Sequence, residues 1–252
     1  MDEYDRREFI KTSIPSFLGV LMSLPTLCAL GTRANACQGR LAADQPMHWE
    51  AFLEAVAKEA AKQHLDNWQQ EEYLKKLAAL TKNLYLEDPV IAGAMTKVSE
   101  RLKKGWVDFH DLEKRLDFAV CLLQFDVNEE INPHNHPGMT GMILCASGEI
   151  HTKNYDLYKS IEDETIDGKH HGKCLLKQSS DVEMKKGDIS TLTSKARNIH
   201  TLKAKQVTQL IDIFTPPYNK ERSENSLWYE LDERPMFGSQ NIYEAVLKSD
   251  RS

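Results

Sequence analysis

From about residue 116 onward, the chain breaks into short runs of apolar and β-branched residues, such as DFAVCLLQFDV and HTLKAKQVTQLIDIF. The runs are separated by turn-forming groups: Asn-Pro, Gly, Lys-Gly-Asp and Pro-Pro. Short strands with this punctuation predict an antiparallel sandwich or barrel. The polar segment 159–173 is expected to be an exposed loop between two of them. The fold is therefore expected to be mainly β.

The region before these runs has a helical pattern. Residues 47–85 are rich in Ala, Leu, Glu and Lys, and their apolar residues recur at three- and four-residue steps, which predicts two amphipathic helices. Asp88-Pro89 marks a break, and residues 90–104 predict a third helix. The expected organisation is a signal at 1–36, an α-helical segment at 37–111, a β-barrel at 112–235 and a C-terminal tail at 236–252.

The first 36 residues carry the pattern of an export signal. Arg6 and Arg7 precede a moderately apolar stretch with two prolines, which resembles the signal peptide read by the bacterial twin-arginine export machinery. Ala34-Asn35-Ala36 has the small-x-small form of a signal-peptidase site, so that Cys37 would become the first mature residue. We therefore expect an exported, periplasmic protein.

Two alternatives to a cleaved signal stay open. About 18 uncharged residues, Thr12 to Ala29, could just span a bilayer as an uncleaved anchor, although Pro15 and Pro25 within them are more typical of a removed signal. Acylation of Cys37 would give a lipoprotein, although Ala-Asn-Ala is a poor recognition sequence for that modification.

Charge and cysteine content exclude some classes of protein. The chain has 32 Lys and Arg against 38 Asp and Glu, and residues 1–36 contain as many basic as acidic residues, so the net charge is −6 with or without them. Mild acidity argues against a nucleic-acid partner, whose backbone demands a basic surface. The cysteine spacing matches no zinc motif and no obvious disulfide framework, so the pairing stays open.

Two histidines stand one residue apart in INPHNHPGMTGMILCASGEIH, residues 131–151. Because alternate side chains of a strand share a face, His134 and His136 would project together into the barrel, with Asn135 facing elsewhere. Neutral imidazole suits iron, copper, nickel and zinc, so this pair predicts a metal site. Four later histidines offer further ligands: His151, His170, His171 and His200. His170 and His171 lie in the polar segment, where solvation is expected. His200 ends the strand-like run that closes with Asn-Ile-His.

The segments PHNHPGMTGMILCASGEIHTKNYDL, RNIHTL and DIFTPPYN, in this order, resemble the thiol dioxygenases that comprise cysteamine dioxygenase and the plant cysteine oxidases. The resemblance covers roughly residues 115–232. It implies a cupin, a double-stranded β-helix or jelly-roll barrel, here preceded by an α-helical segment. It also implies Fe(II) held by His134, His136 and His200.

The same resemblance implies two catalytic residues. Asp212 matches the aspartate of the strand leading into Pro-Pro-Tyr, and Tyr218 matches the tyrosine of that motif; in the family both lie near the substrate. Many other cupins have a glutamate ligand four residues after the second histidine, where this chain has Thr140. Three neutral imidazoles would thus leave the full charge of a divalent ion uncompensated and one face of it open.

The implied reaction is oxidation of a small thiol, or of a peptide bearing an amino-terminal cysteine, to the sulfinate with O2. Two other functions stay open. Three histidines and a water on zinc also describe a hydrolytic site. A cupin can also bind a metal or ligand without catalysis, because one fold hosts many functions. The resemblance gives no reason to expect an obligate multimer, so we expect a monomer.

Overall fold

The computed structural model describes residues 46–102, 104–166, 169–219 and 226–248. Within these ranges, three α-helices and a short 3-10 turn precede eleven β-strands. The prediction of a mainly β fold with an N-terminal helical segment is confirmed. The export signal predicted at 1–36 lies outside these ranges. None of the helices within them is long and apolar enough to span a bilayer.

The helical segment consists of α1 (Trp49–Ala60), α2 (Gln70–Lys82) and α3 (Pro89–Arg101). Asp88 begins α3 as its sequence predicts, because its carboxylate accepts a hydrogen bond from the Val90 N–H at 3.0 Å and Pro89 fills the first turn. The same carboxylate accepts from the Trp49 N–H at 3.1 Å. Asp88 therefore ties the start of α1 to the start of α3.

The strands form two sheets in which every pairing of strands is antiparallel. They are β1 (Val107–Lys114), β2 (Ala119–Phe125), β3 (Glu130–Asn135), β4 (Thr140–Ser147), β5 (Glu149–Ile166), β6 (Lys169–Lys185), β7 (Ile189–Leu192), β8 (Ile199–Ala204), β9 (Thr208–Thr215), β10 (Trp228–Leu231) and β11 (Ile242–Lys248). One sheet has the order β1-β2-β9-β4-β7. The other, β10-β11-β6-β5-β8-β3, closes on itself because β3 also pairs with β10.

Two segments differ from the sequence-based expectation. The segment 159–173 was expected to be a loop, yet residues 159–166 and 169–173 belong to β5 and β6, whose ladder continues to the pair Ile166–Lys169. The segment 236–252, assigned to a tail, contains β11, which pairs with both β6 and β10. The first strand also begins at Val107, within the segment assigned to the helices. Polar composition indicates exposure to solvent, but it does not exclude a strand, because the ladder is formed by backbone hydrogen bonds.

The five-stranded sheet has a buried face on each side. On one face, Ile211 and Ile213 of β9 pack in a cluster with helical residues such as Phe52. On the other face, Leu210 packs in the interior of the barrel. Because side chains alternate along a strand, Asp212 lies on the same interior face as Leu210.

Helix α2 contacts the end of strand β9 and the turn before strand β8. Its Tyr73 hydroxyl lies 2.6 Å from Thr215 Oγ1, at the end of β9. Its Glu71 carboxylate accepts hydrogen bonds of 2.9 and 3.2 Å from the Arg197 guanidinium, in the turn before β8. The helical segment therefore fixes the ends of strands as well as covering one sheet.

The three cysteines within the described ranges, Cys121, Cys145 and Cys174, are free thiols. Burial raises the pKa of Cys145 and of Cys174 to about 11. Burial also raises the pKa of Cys121, helped by the nearby Asp212 carboxylate. A thiol with a raised pKa is a poor nucleophile at neutral pH, so none of the three is a reactive thiolate.

Candidate metal centre

The fold brings three of the predicted histidines together. His134 on β3 is the direct cross-strand partner of His200 on β8, and His136 follows β3 by one residue. One ring nitrogen of each lies within 4.8 Å of the others, and all three side chains are buried. His151 does not join them, because it contacts the Asp181 carboxylate. His170 and His171 belong to the ladder of β6.

A tight turn directly after the histidine pair sets the path of the chain. The Met139 N–H donates to the His136 carbonyl at 3.1 Å, which closes a four-residue turn around Pro137 and Gly138. Gly138 has a φ of 67°, in the left-handed region that glycine adopts without a Cβ clash. Proline followed by glycine in this conformation is typical of a type II turn. The His-Pro-Gly-Met motif therefore returns the chain into β4 immediately after His136.

The residue between the two histidines closes the barrel. Asn135 points away from them, as the alternation predicts, and its Oδ1 accepts from the Leu227 N–H at 2.7 Å. The Asn135 N–H donates to the Leu227 carbonyl at 3.0 Å. These bonds join β3 to the start of β10 and bring Trp228 against His134, with ring centroids 4.6 Å apart and planes inclined by 18°.

Hydrogen bonds at the outer nitrogens direct the inner nitrogens toward one another. His134 Nδ1 lies 2.8 Å from the Asn132 carbonyl, which can only accept, so Nδ1 carries the proton and Nε2 keeps its lone pair. His136 Nδ1 contacts the Tyr218 hydroxyl, which leaves its Nε2 facing His200. The Nε2 atoms of His136 and His200 are 3.0 Å apart.

This spacing fits a shared metal ion. Two nitrogens bound at about 2.1 Å and at a right angle to one another are separated by about 3.0 Å. The three-histidine set spans up to 4.8 Å, so holding one ion requires the imidazoles to draw together by about 1 to 2 Å.

Burial keeps these imidazoles in the form that binds metals. Burial lowers the pKa of His136 well below its usual value, and the neighbouring His200 and His134 lower it further. Burial and His134 likewise lower the pKa of His200. A neutral imidazole offers the lone pair that a metal ion needs, whereas a protonated one repels the ion.

The donor set contains no carboxylate among the residues that the structure describes. Thr140, at the position of the glutamate ligand of other cupins, shares a face of β4 with Met142 and Leu144, which pack under the helices. It therefore points away from the histidines. Gly141, on the interior face, lies so close to Phe214 that a Cβ would be 3.1 Å from a ring carbon. No side chain at these two positions is therefore directed at the histidines.

Asp212 lies on the interior face of β9 and is only 5 % exposed. Its Oδ1 has no hydrogen-bond partner among the described residues. Burial raises the pKa of Asp212 well above its usual value, and a bond from the Ile213 N–H offsets this only in part. Asp212 and His200 line the same small cavity of about 10 Å³, together with Asn154 and Ser190. That space is about enough for one water molecule.

Tyr218 and Phe214 pack around the ring of His136. The Phe214 ring stacks on His136 with centroids 5.2 Å apart and planes inclined by 25°. The Tyr218 ring meets Phe214 edge-on at 4.9 Å. Tyr218 therefore contacts the outer nitrogen of His136, on the side of the ring opposite the nitrogen that faces His200.

The sequence alone did not identify the two aromatic residues that stack on the histidines. Phe214 lies two residues after Asp212, so strand alternation places both on one face and could have identified it. Trp228 had no comparable signal, because its contact with His134 depends on the pairing of β3 with β10.

Comparison with known proteins gives a family match over most of the chain. The family model described as PCO_ADO, for thiol dioxygenase cupins, matches residues 68–248. Similar solved structures include a cupin superfamily protein from Desulfitobacterium hafniense, with 15% identity over 45% of this chain and 81% of that chain and a TM-score of 0.33. KdgF from Halomonas sp. is 16% identical over 48% of this chain and 86% of that chain, with a TM-score of 0.33. The Cnp3 cupin domain from Schizosaccharomyces pombe is 14% identical over 44% of this chain and 64% of that chain, with a TM-score of 0.32.

Replacing one histidine of the group should release the metal. We expect His200→Ala to weaken metal binding by at least about 100-fold, because one of three donors is lost. Metal per chain, measured by mass spectrometry after anaerobic loading with Fe(II) and desalting, checks this. His151→Ala is the matched control, since that ring contacts Asp181 rather than the group. Full metal content in His200→Ala, or equal loss in both variants, would contradict the assignment.

Proposed function

The chain belongs to the PCO_ADO family of thiol dioxygenase cupins, and on this premise we propose that it is an iron-dependent enzyme that oxidises a small aminothiol or an amino-terminal cysteine to the sulfinate with O2. The observation that carries the proposal is the group of three buried histidines with no carboxylate among the described residues beside it. Such a set holds an ion by one face and leaves its other positions to a substrate and oxygen.

His134, His136 and His200 would hold the Fe(II) ion. When bound, Fe(II) supplies a centre at which a thiol and O2 react, so that the sulfur gains both oxygen atoms and becomes a sulfinate. The three imidazoles contribute no negative charge of their own. The site therefore favours an anionic ligand, and a substrate thiol enters it as the thiolate.

Asp212 would recognise the amine of an aminothiol in this proposal. Its buried carboxyl has one oxygen without a partner among the described residues and shares a cavity with His200. A substrate ammonium near this oxygen would donate a hydrogen bond to it and would favour the ionised carboxylate, opposing the pKa rise that burial causes. This pairing would give a preference for thiols that carry an amine close to the sulfur.

Tyr218 would act through His136. When His136 Nε2 is directed at the metal, its Nδ1 carries the proton and donates it in a hydrogen bond to the Tyr218 oxygen. This bond fixes the tautomer and the orientation of the ring. Tyr218 is thus a positioning residue in this proposal.

Oxygen uptake tests the proposed reaction. With protein purified anaerobically and loaded with Fe(II), we expect thiol-dependent uptake of one O2 per thiol with cysteamine, cysteine or a peptide with an amino-terminal cysteine. Mass spectrometry of the product formed under ¹⁸O2 should show two added oxygen atoms, both labelled. The proposal would be contradicted if zinc restored a hydrolytic activity. It would also be contradicted if the protein bound iron but consumed no O2 with any of the three thiols.

An amine-free thiol isolates the role of Asp212. We expect Asp212→Asn to lower kcat/KM for cysteamine by about 10- to 100-fold, because a charge-assisted hydrogen bond to the ammonium is lost. The same variant should change kcat/KM for ethanethiol little, since that thiol has no amine. Equal losses with both thiols, measured by oxygen uptake, would assign Asp212 a purely structural role.

Removing the Tyr218 hydroxyl tests the positioning of His136. We expect Tyr218→Phe to weaken Fe(II) binding by about 10- to 100-fold, because the outer nitrogen of a ligating histidine loses its partner. Competition against a chelator under anaerobic conditions measures this affinity. Tyr229→Phe is the control, because that tyrosine packs in a separate cluster of the barrel. Unchanged affinity with reduced turnover would instead place the Tyr218 hydroxyl at the reacting atoms.

A further inference from the structure

The ladder between β3 and β8 ends at the metal centre. His134 pairs with His200 and Asn135 pairs with Ile199, and both strands end at that second pair. The next pair in this antiparallel register is His136 with Asn198. His136 therefore has no place in the backbone ladder, although it belongs to the histidine group.

The side chain of Asn198 takes the place of the missing ladder partner. Its Oδ1 accepts a hydrogen bond from the His136 N–H at 2.9 Å. Its Nδ2 donates to the His136 carbonyl at 3.0 Å and to the Thr193 carbonyl at 2.8 Å. A primary amide offers the same acceptor and donor as a peptide group, so it can bond both backbone groups of one residue. The His136 carbonyl thus accepts two bonds, one from Asn198 and one from the Met139 N–H.

The backbone beside Asn198 explains why a side chain is needed there. Arg197 has a φ of 57°, in the left-handed region, so the chain cannot enter this position as a continuous strand. The turn is held by the Arg197 side chain, which donates to Glu71 of α2 and to the Thr191 carbonyl. Asn198 is therefore anchored on a turn that is itself tied to the helical segment.

We propose that Asn198 is a positioning residue of the metal centre, which fixes the backbone of His136 so that its ring meets the rings of His134 and His200. The proposal rests on the metal-binding part of the proposed function. Without the amide, the His136 N–H loses its partner, and the His136 carbonyl keeps only the bond from the Met139 N–H across the turn at Pro137 and Gly138. A ligand displaced by about 1 Å no longer matches the geometry that a metal ion requires.

Cobalt binding tests this role without depending on turnover. The metal-free protein is titrated with Co²⁺ in the presence of a competing chelator, and the visible absorption of the bound ion is recorded. We expect Asn198→Ala to bind Co²⁺ about 10- to 100-fold more weakly than the unaltered chain, with a changed absorption spectrum. The spectrum reports the ligand geometry, which a general loss of stability does not alter.

Gln124→Ala is the matched control. Gln124 also makes three hydrogen bonds: it donates to the Val98 carbonyl at 3.1 Å and accepts from Ser99 Oγ at 3.0 Å and Gln209 Nε2 at 2.6 Å. It faces α3 rather than the histidines. We expect this variant to lower the thermal midpoint of the metal-free protein at least as much as Asn198→Ala, with Co²⁺ affinity and spectrum unchanged.

Asn198→Asp keeps the proposal testable if the alanine variant does not fold. The carboxylate has the same shape and can still accept from the His136 N–H, but it cannot donate to either carbonyl. We expect a shifted cobalt spectrum in this variant. Unaltered affinity and spectrum in the folded Asn198 variants would overturn the proposal. An unaltered chain that binds no Co²⁺ would overturn it together with the metal centre, whereas cobalt binding without thiol oxidation would contradict only the proposed reaction.

Discussion

The antiparallel pairing of β3 with β8 is the interaction on which the rest of the site depends. It places His134 opposite His200, far away in the sequence, and its continuation brings Asn198 to the backbone of His136. A slip of this register by one residue would turn one of the paired histidines to the opposite face of the sheet. The neighbouring β10 then encloses His134 by stacking Trp228 against it. Strand pairing therefore brings His134 and His200 together, and the Asn198 side chain holds the backbone of His136 beside them.

Burial gives the assembled group its chemical character. The pKa values of His136 and His200 are lowered because water is excluded and because the rings lie close to one another, which favours the neutral imidazoles. No carboxylate among the described residues joins the donor set. The buried carboxyl of Asp212 lies on the facing sheet, and one of its oxygens has no hydrogen-bond partner among the described residues. In the proposed reaction, this carboxyl would compensate the charge of a substrate amine instead of that of the metal.

Much of this architecture is readable from the sequence because its causes are local. Period-two alternation places His134 and His136 on one face, and Pro-Gly after them fixes a turn that the structure contains. Helical periodicity predicts the N-terminal segment. The strands in 159–166 and 169–173 were missed because their sequence is polar, and β11 was missed although Ala245 and its neighbours Tyr243 and Leu247 pack in a cluster of the barrel. The contacts of Asn198 and Trp228 depend on which distant strands pair, and the local sequence does not determine that pairing.

The most direct measurement is a crystal structure of the protein loaded anaerobically with Fe(II), with diffraction recorded on both sides of the iron absorption edge. The anomalous signal should place one ion at about 2.1 Å from a nitrogen of each of His134, His136 and His200, with no carboxylate in contact. An ion held elsewhere, or held with Asp212 as a ligand, would contradict a three-histidine centre.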